Sequence, residues 1–165
     1  MSLPVINQII NFLESVGISV ICKPITADTF LPGLQLENGK LVVDHEKLKH
    51  PGDLLHEAGH LATMPPSVRE TMDDILPDND LNMGGEMMAI AWSYAACIHV
   101  KLDPAIVFHA AGYKGKSEGI LQNFTNGQYI AIPLLQWAGM ALDEKNVAAF
   151  NTLPYPHMIR WLRER

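Results

Sequence analysis

One stretch of this chain sets reactive side chains at a chemically useful spacing: Asp53-Leu54-Leu55-His56-Glu57-Ala58-Gly59-His60-Leu61-Ala62-Thr63. Its centre, His56-Glu57-Ala58-Gly59-His60, separates two imidazoles by just over one helical turn, so both leave the same face and can grip one ion. Glu57 lies about 100° round such a helix from His56, close enough to act on a water held by the ion without being a ligand. Zinc suits two imidazoles plus a carboxylate, with a fourth position left for a water whose pKa the metal lowers towards about 7.

The carboxylate must come from elsewhere. The apolar run from Gly84 to Val100 carries a single acid, Glu86, at its start. An ionised carboxylate leading an apolar helix is costly unless a cation meets it. The helix dipole alone also favours an acid at a helix start. Position decides in favour of a ligand: Glu86 follows His60 at a distance that allows a loop and a return helix crossing the first. The expected metal ligands are therefore His56, His60 and Glu86, with Glu57 as general base.

The elements that must position these groups are legible. Pro51-Gly52 breaks the preceding segment, Asp53 puts an acid in the first turn, and Leu54, Leu55, Ala58, Leu61 and Ala62 supply packing surface. Pro65-Pro66 ends the helix. Gly59 inside the helix costs about 1 kcal/mol relative to Ala, which points to close packing at that position. Ahead of it, Leu34-Gln35-Leu36-Glu37, Asn38-Gly39 and Lys40-Leu41-Val42-Val43-Asp44 read as a two-residue β-hairpin, either strand of which could be an edge.

The arrangement resembles the gluzincin-type zinc metallopeptidases. Within them, Glu86-x-x-Ala89-x-x-Trp92-x-x-Ala95 is similar to the Glu-x-x-Ala-x-x-Phe-Ala helix of the small ImmA/IrrE-like enzymes, over roughly residues 34 to 100. Ile90 stands where thermolysin-like enzymes carry an aspartate, which argues against that subgroup, and Trp92 replaces the usual phenylalanine. The resemblance implies one Zn2+ per chain and a peptide or protein substrate. Glu57 would take a proton from the activated water and pass it to the leaving amine. An oxyanion stabiliser is expected among Tyr94, His99, His109, Tyr113 and Tyr129. Helical phase turns His99 about 140° from Glu86, while Ser93 and Cys97 share the face of Glu86 and would support the site. Asp53 could orient a ligand imidazole or serve only as a helix-terminal charge. A metal-binding regulatory module without turnover, and a metal-free structural protein, are the competing classes.

Composition frames these readings. The 165 residues are 48% hydrophobic and 18% charged, enough for one globular domain over residues 1–165 with a real core. A net charge of −6 without a Lys/Arg stripe gives no case for nucleic acid. No signal-peptide pattern is present, and the apolar run from Met87 to Val100 is too short for a membrane span, so a cytoplasmic protein is expected. Cys22 and Cys97 read as buried free thiols.

The rest of the chain predicts an α+β fold: a small β-sheet with several helices, the metal between two of them. Residues 3–16 carry a helical apolar stripe, with Ser2 as N-cap and Gly17 beyond its end. Residues 18–23 alternate as a strand. His45 and His50 fall in a polar loop, and Thr71–Asn82, with Asp73, Asp74, Asp78 and Asp80, reads as a solvated acidic loop without EF-hand spacing. Asp103-Pro104 should open a helix running to Gly112, Ser117-Glu118 another, Pro133 a third, and Pro154–Pro156 should precede a last helix bearing Met158, Ile159, Trp161 and Leu162.

Overall fold

The computed structural model describes residues 3–73 and 80–165; Ser2, Asp74 and Asp78 lie outside these. The fold is α+β. Helix α1 (Leu3–Ser15) buries Ile6, Ile9, Ile10 and Leu13, the stripe its periodicity predicts. Three short strands follow: β1 (Val20–Cys22), β2 (Leu34–Glu37) and β3 (Lys40–Val43). Their order is β1-β3-β2, with β3 central, parallel to β1 and antiparallel to β2. Both β1 and β2 are therefore sheet edges.

The hairpin is the one expected. Asn38 and Gly39 both take positive φ, 47° and 70°, as the mirror-image two-residue turn requires. That turn docks on the chain beyond α3 (Pro66–Arg69): the Gly39 N–H donates to the Met72 carbonyl and the Asn38 N–H to the Asp73 carboxylate. Edge position explains the first correction. Cys22 is exposed, with its Sγ 3.2 Å from His45 Nε2, whereas Cys97 is buried as expected. The residues of β1 have a neighbour on one side only, so alternation in this strand does not bury its third residue.

Two helices carry the centre of the molecule. Helix α2 (Gly52–Thr63) buries Leu54, Leu55, Ala58, Leu61 and Ala62. Full burial of each leucine contributes about 1.5–3 kcal/mol, which outweighs the cost of Gly59 in the same helix. Helix α4 (Asp80–His99) crosses α2 and buries Ala89, Trp92 and Ala96. It begins at Asp80, so Glu86 sits inside the helix, not at its start, and Asp80–Asn82 belong to the helix and not to an acidic loop.

Two other expected helices are absent. Asp103 does cap a turn, its Oδ1 accepting the Ala105 N–H at 2.9 Å, but only a 3-10 turn over Pro104–Ile106 forms. The chain is then drawn onto α2, where the Ile106 carbonyl and Val107 backbone press on Gly52; a Cβ there would meet that carbonyl at 2.0 Å. Beyond α5 (Ser117–Thr125) and α6 (Ile132–Trp137, with Pro133 in its first turn), residues 158–163 are not helical. Their backbone reaches outward instead: the Ile159 N–H donates to the Met140 carbonyl and the Arg163 N–H to that of Ala62. Trp161 still packs, edge-on against Phe12, Trp92 and His99, and its carbonyl accepts the Trp92 indole N–H at 2.9 Å. Arg69 ties this strap to the end of α2, donating to the carbonyls of Leu61, Met64 and Arg163. Among the described residues no helix is long and apolar enough to cross a membrane.

Candidate metal centre

The crossing of α2 and α4 is set by Gly59. A Cβ at Gly59 would lie 2.8 Å from the Ala89 carbonyl oxygen and 3.0 Å from its Cα, so only glycine lets the two backbones approach this closely. Ala89 is three residues after Glu86 and Gly59 is one before His60. Backbone contact at that point therefore brings the carboxylate over the two imidazoles.

The resulting geometry is a triangle. His56 Nε2 and His60 Nε2 are 3.2 Å apart, and Glu86 Oε2 lies 3.1 Å from His60 Nε2 and 3.6 Å from His56 Nε2. Ligand atoms at about 2.0–2.1 Å from one ion in tetrahedral array are separated by roughly 3.3 Å. The three edges bracket that value, and two imidazoles with one carboxylate are a donor set suited to zinc. These three residues form a group able to hold a metal ion. The two histidine side chains are 15% and 10% exposed and that of Glu86 is 44%, so one flank of the triangle opens to solvent.

Electrostatics bind the group together. Burial disfavours the His56 imidazolium, but the hydrogen bond and charge of Glu86 outweigh it, and the pKa of His56 is raised. Burial alone would raise Glu86; its hydrogen bonds to His56 and His60 and their charges hold it well below the usual carboxylate range. Glu57 goes the other way. Its burial raises its pKa, the two imidazoles pull it back, and the charges of Glu86 and Asp53 add to the rise. A carboxylate moved up towards neutrality is a better proton acceptor from water.

Around this centre the structure sorts the remaining candidates. Tyr113 is drawn in: its hydroxyl is 3.0 Å from His56 Nδ1, with the two rings perpendicular. It is delivered by a tight turn in which Tyr113, Lys114 and Gly115 all have positive φ, at 54°, 53° and 78°. For two consecutive residues with side chains this is a strained backbone. Asp53 grips His109 instead of a ligand imidazole, Oδ1 to Nε2 at 2.8 Å, and His50 stacks on the His109 ring at 3.8 Å. His50 is thus part of a polar cluster at the start of α2, a role its loop position did not reveal.

Others lie elsewhere. His99 packs on Phe12 and Trp161, as its helical phase predicts. Tyr94 and Tyr129 join an aromatic cluster with Phe124 and Tyr155, the Tyr94 hydroxyl donating to the Phe124 carbonyl at 3.4 Å. Cys97 donates to the Leu102 carbonyl and Ser93 to the Ile90 carbonyl at 2.9 Å, so the two residues expected to support the site from the face of Glu86 are bonded to backbone instead. Comparison of the chain with protein-family models, with curated proteins and with solved structures finds no match in any of the three.

Proposed function

We propose that the protein is a zinc-dependent metallopeptidase of the gluzincin type, with His56, His60 and Glu86 as ligands and Glu57 as general base. The observation that carries the reading is the triangle of donor atoms at tetrahedral spacing with a partly buried, pKa-raised Glu57 on the same helix. Bound there, zinc supplies the Lewis acidity that polarises a carbonyl and makes water acidic near neutral pH. The chain's own groups do the rest. Glu57 accepts the proton of the attacking water and hands it to the leaving nitrogen as the peptide C–N bond breaks, so the water's hydroxyl ends on the acyl carbon. His56 and His60 on α2 and Glu86 on α4 would hold the ion, with Glu57 on the same helix as the two histidines. The exposed flank beside Glu86 is the side from which a peptide would enter. The two cysteines are unpaired, which supports a reducing, cytoplasmic setting.

Metal content of protein purified without added metal, measured beside His60→Ala and Glu86→Ala, tests the site. About one zinc per chain in the parent and loss in both variants is expected. Glu57→Gln should keep the metal and lower kcat on a susceptible peptide by at least about 100-fold. A parent that binds zinc yet hydrolyses no peptide in a broad library would leave a metal-binding regulatory module. A parent without zinc would remove the peptidase.

A further inference from the structure

We propose that the cavity between the end of α1, the short helix α3 and the strap at residues 158–163 binds a carboxylate with a short apolar body, held at the Arg69 guanidinium. The cavity has a volume of about 480 Å3, and Val16, Pro66, Trp161 and Leu162 give it apolar walls. Sites for small organic ligands span roughly 300–1,000 Å3. The hydrogens of Arg69, which lines the same cavity, decide what those walls can hold. A guanidinium carries five N–H groups in a rigid plane. The Nε hydrogen goes to the Leu61 carbonyl at 2.9 Å, and Nη2 donates to the carbonyls of Met64 at 3.0 Å and Arg163 at 2.5 Å. These bonds fix the plane and leave the two hydrogens of Nη1 without an acceptor among the described residues. Nη1 is not sealed in the core, where His109 Nδ1 alone among the described residues is a buried side-chain N or O atom without a partner.

The charge of Arg69 is also unanswered. Among the described residues no carboxylate comes within ion-pair distance of it, and Glu70 acts on it through charge without contact. Burial lowers its pKa from the ordinary value, the sign of a cation taken from water without full compensation. Three carbonyls offer dipoles but no net charge, and buried charges are ordinarily paired. Glu164, the one acid lining the cavity among the described residues, is neutralised by Arg160 at 2.8 Å on the exposed rim. Arg163 turns to the Thr63 carbonyl and the Trp137 ring. An anion is therefore the missing partner of Arg69. Two free hydrogens on one nitrogen suit a singly charged carboxylate better than a phosphate, which asks for more donors. The Ser15 hydroxyl beside the cavity adds none, because it already donates to the Phe12 carbonyl at 2.6 Å. The apolar walls then take the body of the acid. This site uses none of the residues of the metal triangle.

Proton–nitrogen NMR titration of the full chain with 4-methylpentanoate, with N-acetyl-leucine and with the primary amide of each tests the site. Acid and amide have the same shape and differ in charge, so the comparison needs no variant and does not depend on Arg69→Ala folding. Both acids should give saturable shifts at the Arg69 Nε–H, at Val16 and at the Trp161 indole N–H, with the amides at least about 10-fold weaker. Tighter binding of N-acetyl-leucine would identify a peptide C-terminus as the ligand, and equal or tighter binding of 4-methylpentanoate a free acid; either result supports the site. Arg160→Glu leaves the carbonyl bonds of Arg69 in place, adds negative charge at the rim and should weaken the acids several-fold without moving the amides. Acids and amides that bind alike, shifts scattered over the surface, no saturation by about 20 mM, or indifference to Arg160→Glu would overturn the proposal. None of these results bears on zinc content, so the site and the metal centre stand or fall separately.

Discussion

Gly59 decides where Glu86 can reach, because it is the residue over which α4 crosses. Substituting alanine there sets two effects against each other. The helix gains about 1 kcal/mol of propensity. Against this, the new methyl meets the Ala89 carbonyl oxygen at 2.8 Å, and that atom belongs to helix backbone, which cannot swing away as a side chain can. Overpacking of this kind costs about 1–3 kcal/mol. We expect Gly59→Ala to lose stability in urea unfolding and to weaken zinc binding in the same preparation, since a wider crossing lifts Glu86 from His60. This residue was legible from sequence alone: a glycine amid good helix formers asks for a close neighbour. Tyr113 was not. Its bond to His56 spans 57 residues and depends on a left-handed turn that no periodicity announces. The pairing of His109 with Asp53 and the stacking of His50 on its ring were hidden for the same reason, these partners being far apart in sequence.

The elements that could be read were those whose stability is local. The hairpin carries its instructions in Asn38-Gly39, and α1, α2 and α5 in their apolar stripes and flanking Pro or Gly. Segments that answer to distant partners were misread. Met158, Ile159, Trp161 and Leu162 have helical spacing, yet their backbone is committed to Met140 and Ala62 carbonyls across the molecule. The segment after Pro104 leaves its single turn because Gly52 and Asp53 offer contacts that a continued helix would forgo. Arg69 is the joint at which this non-local design can be probed. Its guanidinium serves three carbonyls at the end of α2 and on the strap. Arg69→Ala should destabilise the protein by about 2–3 kcal/mol, read from the midpoint and slope of urea unfolding.

At the scale of the molecule, the proposed metal site sets protons and metal in competition for the same atoms. In the metal-free protein the His56 imidazolium pairs with Glu86, which raises the pKa of His56. A group with a raised native pKa stabilises the fold fully below its unfolded value, about 6.5, and that contribution is lost as pH rises through the native value. Zinc needs both imidazoles neutral, so its stabilising effect grows over the same interval. At a free zinc concentration about 100 times Kd the gain is roughly 2.7 kcal/mol, which for a chain of this size is a Tm rise of roughly 5–10 °C. Scanning calorimetry with and without zinc should show this increment shrinking steadily from about pH 7.5 to about pH 5.5. An increment independent of pH would mean that the ion is held by groups other than the two histidines.

The strap around residue 163 also imposes an order in time. The Arg163 N–H closes on the Ala62 carbonyl and Arg69 on that of Arg163, and the partners at this junction are some 100 residues apart in the chain. During synthesis at about 5–20 residues per second, α2 is therefore made roughly 5–20 s before its far end can be fastened. For that interval His56, Glu57 and His60 belong to a nascent chain whose centre is unfinished. The end of α2 is thus fastened only once nearly the whole chain has been made, so the two halves of the core are closed on each other last.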